Sequence, residues 1–361
     1  MTRIELFSQG PRILRSAFSA MFFAVLLVAC MTFASTSAVA QFVGPSQLSF
    51  LNGWTDAPFS TSHAMVEQVD GIVTFRGAIA GGTTALAFTL PTALRPVTDV
   101  YVPVDLCNSN KGRLYIQSNG NVNVQAETSF TDAQCFTSLD GASFAPKATS
   151  FTSLTLINGW TNAPFSTSNA AVRKSAGIVH FKGAIATTGT NAQPFTLPAG
   201  FTPPTDVYIP VDLCNANNGR LHITPSGSVT VQAEKSFSDA QCFTSLDGAS
   251  FALNTDGFLN QTLINGWTNA PFSTSNAAAK NAYGIVYFKG AINTIGTNSQ
   301  PFTLATRFRP VTEVYVSIDL CNATKGRLHI STSGVVSVEA QGGTFSNAQC
   351  FTSLDGASFV Q

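Results

Sequence analysis

From residue 41 onward, apolar and polar positions alternate over short stretches, and the alternation returns three times along the chain. Between Gly71 and Ile79, the residues Val73, Phe75 and Ile79 fall on one side, with Thr74 and Arg76 on the other. The second copy sets Val179, Phe181 and Ile185 opposite His180 and Lys182. A period of two predicts strands with one face in a core and the other in water. Val100, Val102, Val104 and Leu106 alternate in the same way with Tyr101, Pro103 and Asp105, and Leu114 and Ile116 with Arg113 and Tyr115. Pro103 and Pro210 place their strands at an edge or a bulge, because proline cannot donate to a ladder. The pairs Asn119-Gly120 and Asp140-Gly141 suit tight hairpins that need positive φ. No stretch after residue 40 sustains a helical period.

Self-alignment brings Trp54, Trp160 and Trp267 into register, at steps of 106 and 107 residues. A unit of this length can bury its own core, unlike the 20–50-residue turn of a solenoid. The segments are 1–40 as a signal peptide, then modules at 41–146, 147–253 and 254–361. Seven or eight short strands per module predict an all-β chain of three tandem β-sandwich, jelly-roll-like domains. Polar linkers near 145–153 and 252–260 permit either separate beads or modules packed side by side.

The first forty residues differ from the rest. Arg3, Arg12 and Arg15 lead into an apolar run from Ala17 to Ala29, and Ala38-Val39-Ala40 precedes Gln41, which is the layout of a secretory signal. Three readings stand: cleavage after Ala40, an uncleaved anchor, or lipidation of Cys30, since Leu27-Val28-Ala29-Cys30 resembles a bacterial lipobox. Only the last two attach the chain to a membrane. Export to the surroundings or to the cell envelope (periplasm or outer surface) agrees with the remaining cysteines. These form one pair per module: Cys107 with Cys135, Cys214 with Cys242 and Cys321 with Cys350. An even count at fixed spacing in an exported chain reads as disulfides. Zinc would need clustered ligands, which the four scattered histidines do not supply.

Charged residues make up 11% of the chain and balance to zero, so no field attracts polyanions and nucleic-acid binding is disfavoured. With 29 Phe and 44% hydrophobic residues, the chain has ample apolar surface to fold. Arg113, Arg220 and Arg327 are the only arginines shared by all three copies. Each either clamps a carboxylate or acidic sugar or makes a cross-strand ion pair with Asp105, Asp212 or Asp319. Tyr101, Tyr208 and Tyr315, opposite the valines, are the better exposed candidates for stacking on a sugar, whereas the three Trp read as core plugs. The Ser-Thr-Ser segments and Asp140, Asp247 and Asp355 read as turn chemistry. Calcium at Asp105, Asn108 and Asn110 is disfavoured by the lack of a carboxylate run. Nucleophile elbows, zinc motifs and phosphate loops are absent, and no histidine recurs in all three copies, so neither an enzyme nor a cofactor or metal is expected.

The Asn-Gly-Trp, Gly-Ile-Val-x-Phe-x-Gly-Ala-Ile, Phe-Thr-Leu-Pro, Arg95-Pro96, Gly-Arg-Leu and Ser-Leu-Asp-Gly-Ala-Ser-Phe segments resemble the C-terminal head (receptor-binding) modules of phage tail-fibre and baseplate proteins. The resemblance covers nearly the whole repeated region. It implies a compact β-sandwich that trimerises and contacts cell-surface glycans or protein receptors. The export signal, the cysteine pairs and the three tandem copies depart from that family, in which one module ends a fibre. Three copies in one chain could instead form an intramolecular pseudo-trimer, as an alternative to a trimer of chains. The function expected is a non-catalytic binding or adhesion array, with a structural envelope or matrix protein as the alternative.

Overall fold

The computed structural model describes residues 42–361; the expected signal segment and Cys30 lie outside the described residues. The chain is all-β, with three tandem β-sandwich domains of the same plan. In the first, one sheet runs in the order Val43–Gln47, Met65–Val69, Ile72–Arg76, Ser143–Phe144. A second runs Leu86–Thr89, Asn121–Ala126, Lys111–Ile116, Val100–Asp105. A small third sheet, of Thr55–Asp56, Ala78–Ala80 and Thr137–Ser138, closes one end.

The period-two residues meet where expected. Val73, Phe75, Val102, Val104, Leu114 and Ile116 are buried in one core per module, and Phe75 packs on Phe88 of the facing sheet and on Phe144 of its own. The three Trp residues are buried, and each indole N–H donates to a loop carbonyl, Thr84, Asn191 or Asn298. Val100–Asp105 and Val207–Asp212 are edge strands, in accord with Pro103 and Pro210. Three disulfides join the pairs expected from spacing, with Cα atoms 5.7–5.8 Å apart. In each pair the second cysteine ends a six-residue helix, as in Phe130–Cys135. Fewer than two turns hold too few residues for a helical period to show, which is why the sequence pattern conceals these helices.

One expectation is overturned. The face opposite the core is not in water: Thr74, His180 and Lys182 are 3%, 7% and 1% exposed. The reason is that the domains pack on one another. The three edge strands Val100–Asp105, Val207–Asp212 and Val314–Asp319 touch pairwise, so each module contacts both others.

The Ser-Leu-Asp-Gly motif builds these contacts. Ser138, Ser245 and Ser353 each donate a hydroxyl to the backbone carbonyl of a neighbouring edge strand, at Tyr315, Tyr101 and Tyr208, all at 2.6 Å. This covers strand edges that would otherwise be open to further pairing. Three residues on, Gly141, Gly248 and Gly356 hold φ near +80° and lie against Val316, Val102 and Ile209 of the adjoining module. A Cβ at any of these glycines would sit 2.8–2.9 Å from that side chain. Asp140 and Asp355, between the serine and the glycine, accept the backbone N–H of Gly77 and Gly290.

Gly248→Ala is therefore expected to cost more than Gly200→Ala. Both glycines have positive φ, but Gly200 has open space where its Cβ would go. The Gly200 change should lose about 1–2 kcal/mol from backbone strain alone, and the Gly248 change about 1–3 kcal/mol more from overpacking. Urea unfolding of the two variants reads the difference; equal losses would mean that the close approach to Val102 carries no weight.

Candidate functional site

The edge strand of each module pairs with the strand after it, setting Tyr101 opposite Tyr115 and Pro103 opposite Arg113. On this face Tyr101 stacks on Tyr115 with ring centres 4.6 Å apart, and Arg113 lies over Tyr101 at 4.9 Å. In the other copies a histidine takes the place of the second tyrosine, so that Tyr208 stacks on His222 and Tyr315 on His329. Arg220 and Arg327 cover those tyrosines at 4.8 and 4.9 Å.

The next module supplies the opposite wall. Phe243 meets Tyr101 edge-on at 4.9 Å, Phe351 meets Tyr208 at 5.0 Å and Phe136 meets Tyr315 at 5.1 Å. Beyond each of these lies another ring, Phe165, Phe272 or Phe59, at 5.6 Å. The result is one small pocket at each of the three interfaces. That between modules 1 and 2 is lined by Tyr101, Arg113, Phe165, Cys214, Asn215 and Phe243 and has a volume of about 140 Å³. The equivalents have about 120 and 140 Å³. Each would take one ring or one small polar group, since drug-sized ligands need about 300–1,000 Å³.

Two features mark these pockets as built. Phe59, Phe165 and Phe272 are 59–60% exposed, although aromatic. Each also holds φ of 53–54° inside the Pro-Phe-Ser turn. Asn108, Asn215 and Asn322, each following the first cysteine of a disulfide, have φ of 56–59°. Left-handed backbone at a non-glycine residue costs about 1–3 kcal/mol and tends to collect at ligand clamps.

The candidate residues thus converge, but the partner of the arginine differs from expectation. Arg113 donates Nη1 to Asp212, Arg220 to Asp319 and Arg327 to Asp105, so each ion pair crosses to the next module rather than across strands of its own. Asp105, Asp212 and Asp319 end the edge strands and point outward into the interface, where they are 0–1% exposed. Lys111 and Lys325, each 1% exposed, add a second cation to Asp212 and Asp105. Arginine Nε is held by Gln125, Gln232 or Glu339. The tyrosines are half-buried, less open than the alternation suggests, because a neighbour's phenylalanine leans on each.

One sector breaks the pattern. Asn218 stands where Lys111 and Lys325 stand in the other copies, and its amide is spent on the carbonyl of Ala323. Asp319 keeps only Arg220, and its Oδ1 has no hydrogen bond among the described residues. Burial, against the pull of Arg220, pushes its carboxyl up to about 7. Glu234, close enough to raise it further, is itself pushed up to about 7 by burial and by Glu127. His180 is driven down to about 4 by burial and by Arg173.

The phenylalanines and asparagines of the pocket are missed by the alternation, because they sit in turns where period two stops. The signal of Phe59, Phe165 and Phe272 is an aromatic residue directly after proline; that of the other phenylalanines and of the asparagines is a place directly after a cysteine, repeated in all three copies. The Ser-Thr-Ser hydroxyls behave as turn chemistry, Thr61 Oγ1 donating to Pro58 O at 2.6 Å. Among the described residues no group of three or more His, Cys, Asp or Glu is placed to hold a metal. The comparisons find no matching family model, no similar curated protein and no similar solved structure, and none links the modules to phage tail-fibre heads.

A carboxylate whose folded pKa lies above its unfolded value of 3.8 binds its proton more tightly when folded. It therefore makes stability fall as pH rises from about 4 to about 7. Asn218→Lys should supply the missing cation. The variant is expected to melt above wild type at pH 8 and to lose most of that advantage by pH 4, where the wild-type carboxyl is protonated and no longer needs a cation while the new lysine still has to be buried. Thermal melts across this range check it; a shift of the same size at both ends would exclude Asp319 as the group responsible.

Proposed function

We propose that this chain is an exported, non-catalytic binding or adhesion protein with three related small sites, one at each module interface, that take groups of cell-surface glycans. The observation that carries the reading is the threefold recurrence of an exposed phenylalanine, in strained backbone, beside a stacked tyrosine and an arginine. Flat apolar rings with polar donors alongside suit a sugar, whose faces are apolar and whose edges are hydroxylated. Arg113 and Arg220 keep Nη2 without a hydrogen bond among the described residues, which favours an acidic sugar at those two pockets. In the third, Glu339 occupies Nη2 of Arg327 at 2.6 Å and favours a neutral one. Weak sites repeated three times gain strength by effective concentration on a dense surface.

Export is supported by three disulfides, which persist in oxidising compartments, together with the layout of the first forty residues. No helix among the described residues is long and apolar enough to cross a membrane. The resemblance to tail-fibre heads agrees with a receptor-contacting role. A structural envelope or matrix role is the second reading, favoured by the fact that the best donor of every arginine is consumed within the protein.

A glycan array separates the two readings. The binding role predicts hits that weaken at least about tenfold when Phe59→Ala, Phe165→Ala and Phe272→Ala are combined. These exposed rings contribute little to the core, so the variant should remain folded. An array without hits at high glycan density would transfer the assignment to the structural role.

A further inference from the structure

The three module interfaces carry matching carboxylates but not matching cations. Between modules 1 and 2, Asp212 receives both Arg113 and Lys111, whose ammonium lies 2.8 Å from Oδ1. At the same interface Glu127 pairs with Lys235 at 2.8 Å. Between modules 3 and 1, Asp105 receives Arg327 and Lys325, and Gln341 takes the place of the glutamate.

Between modules 2 and 3 neither lysine has a counterpart. Asn218 stands in place of the first, and Gly342-Gly343, between Gln341 and Thr344, in place of the second. A Cβ at either glycine would meet nothing within 4 Å. The two carboxylates, Asp319 and Glu234, are both retained. Among the described residues only Arg220 makes an ion pair with either of them.

Three oxygens at this interface are buried without a hydrogen bond among the described residues: Asp319 Oδ1, Asn218 Oδ1 and Glu234 Oε2. Asp319 and Asn218 are 0% and 1% exposed. The three belong to one face. Asn218 and Glu234 lie opposite each other on paired strands, the Glu234 N–H donating to the Asn218 backbone carbonyl at 3.1 Å. Arg220, two residues beyond Asn218, reaches Asp319 at 2.9 Å. The Asn218 side-chain NH2 is used by the carbonyl of Ala323, so the group it has left to offer is its oxygen. Lys235, Lys111 and the Lys325 backbone N–H act on Glu234, yet burial and Glu127 keep its carboxyl raised to about 7. Buried acceptors with no donor are costly, and three on one face require a positive partner.

We propose that the interface of modules 2 and 3 binds a divalent cation of the calcium type, coordinated by Asp319 Oδ1, Asn218 Oδ1 and Glu234 Oε2 and completed by water. One such ion brings the two positive charges that Lys111 and Lys235 bring to the interface of modules 1 and 2. The set holds oxygen donors only, which suits a hard cation and disfavours zinc or copper. Calcium accepts an irregular shell more readily than magnesium does. Two carboxylates and an amide, drawn from two modules, make the ion a clamp between them.

The test is calorimetric titration of calcium chloride into the purified protein, stripped with a chelator, at pH 8. One ion per chain is expected to bind with a dissociation constant of about 10⁻⁴–10⁻³ M, the range of extracellular calcium modules. Calcium at about 10 mM should raise Tm by about 2–4 °C. Asn218→Lys places an ammonium at this site, as in the other two interfaces, and should abolish both the heat and the shift in Tm. A calcium-free melt shows whether that variant is folded. Glu234→Gln should weaken binding by about tenfold, and this variant decides the matter if Asn218→Lys does not fold. Absence of binding at millimolar calcium, or binding of unchanged strength in a folded Asn218→Lys or in Glu234→Gln, would overturn the proposal. The glycan reading rests on the exposed phenylalanines instead, so the two assignments fail separately.

Discussion

Three carboxylates that cannot be left alone organise this molecule. Asp105, Asp212 and Asp319 end the edge strands with essentially no exposure, and an isolated charge in such a place costs several kcal/mol. The arginine that neutralises each lies in another module, so pairing one carboxylate fixes the placement of its neighbour, and three such pairings close on themselves. The net gain in stability over apolar packing is small for a buried ion pair. What the pairs supply is register. They set the distance at which the serine hydroxyls reach the edge-strand carbonyls and at which a glycine, lacking Cβ, slides against Val102, Ile209 or Val316. They also hold Phe243, Phe351 and Phe136 against the tyrosines, which gives the pockets their walls.

Much of a single module was legible in the chain. Period two identified the core faces, proline identified the edge strands, and cysteine spacing identified the disulfides. Alternation, however, states only that a strand has two faces. Whether the second meets water or protein is decided by residues far away in the chain, 99 positions in the case of Arg113 and Asp212, and no local pattern carries that information. The same limit explains the candidate sites. Arg113 and Tyr101 were recognised as chemistry, but the rings of Phe165 and Phe243 that complete their pocket belong to another copy. Six-residue helices and turns with positive φ, such as that at Phe59, are governed by tertiary contacts and leave no periodic trace.

Near-identity of the copies conceals differences that matter at the axis. A lysine is found twice and an asparagine once at positions 111, 218 and 325, and glutamate twice and glutamine once at 127, 234 and 341. The second set is in contact, Gln341 donating to Glu127 at 3.0 Å and Lys235 pairing with the same carboxylate. A homotrimer of one module would be forced to repeat each charge three times around its axis. A single chain is free to dilute like charges by changing one copy; the raised carboxyl of Asp319 marks the cost where the changed copy withdraws a cation, and that of Glu234 marks where Glu127 still stands beside it.

The pairwise contact of the three edge strands has a consequence for how such a gene can change. A solenoid grows at its ends, because each repeat leaves a free face for the next. Here every module already has both of its contact faces occupied, so another tandem copy would find no place in the ring and would hang from it as a separate body. Lengthening the chain past three copies would therefore not enlarge the assembly.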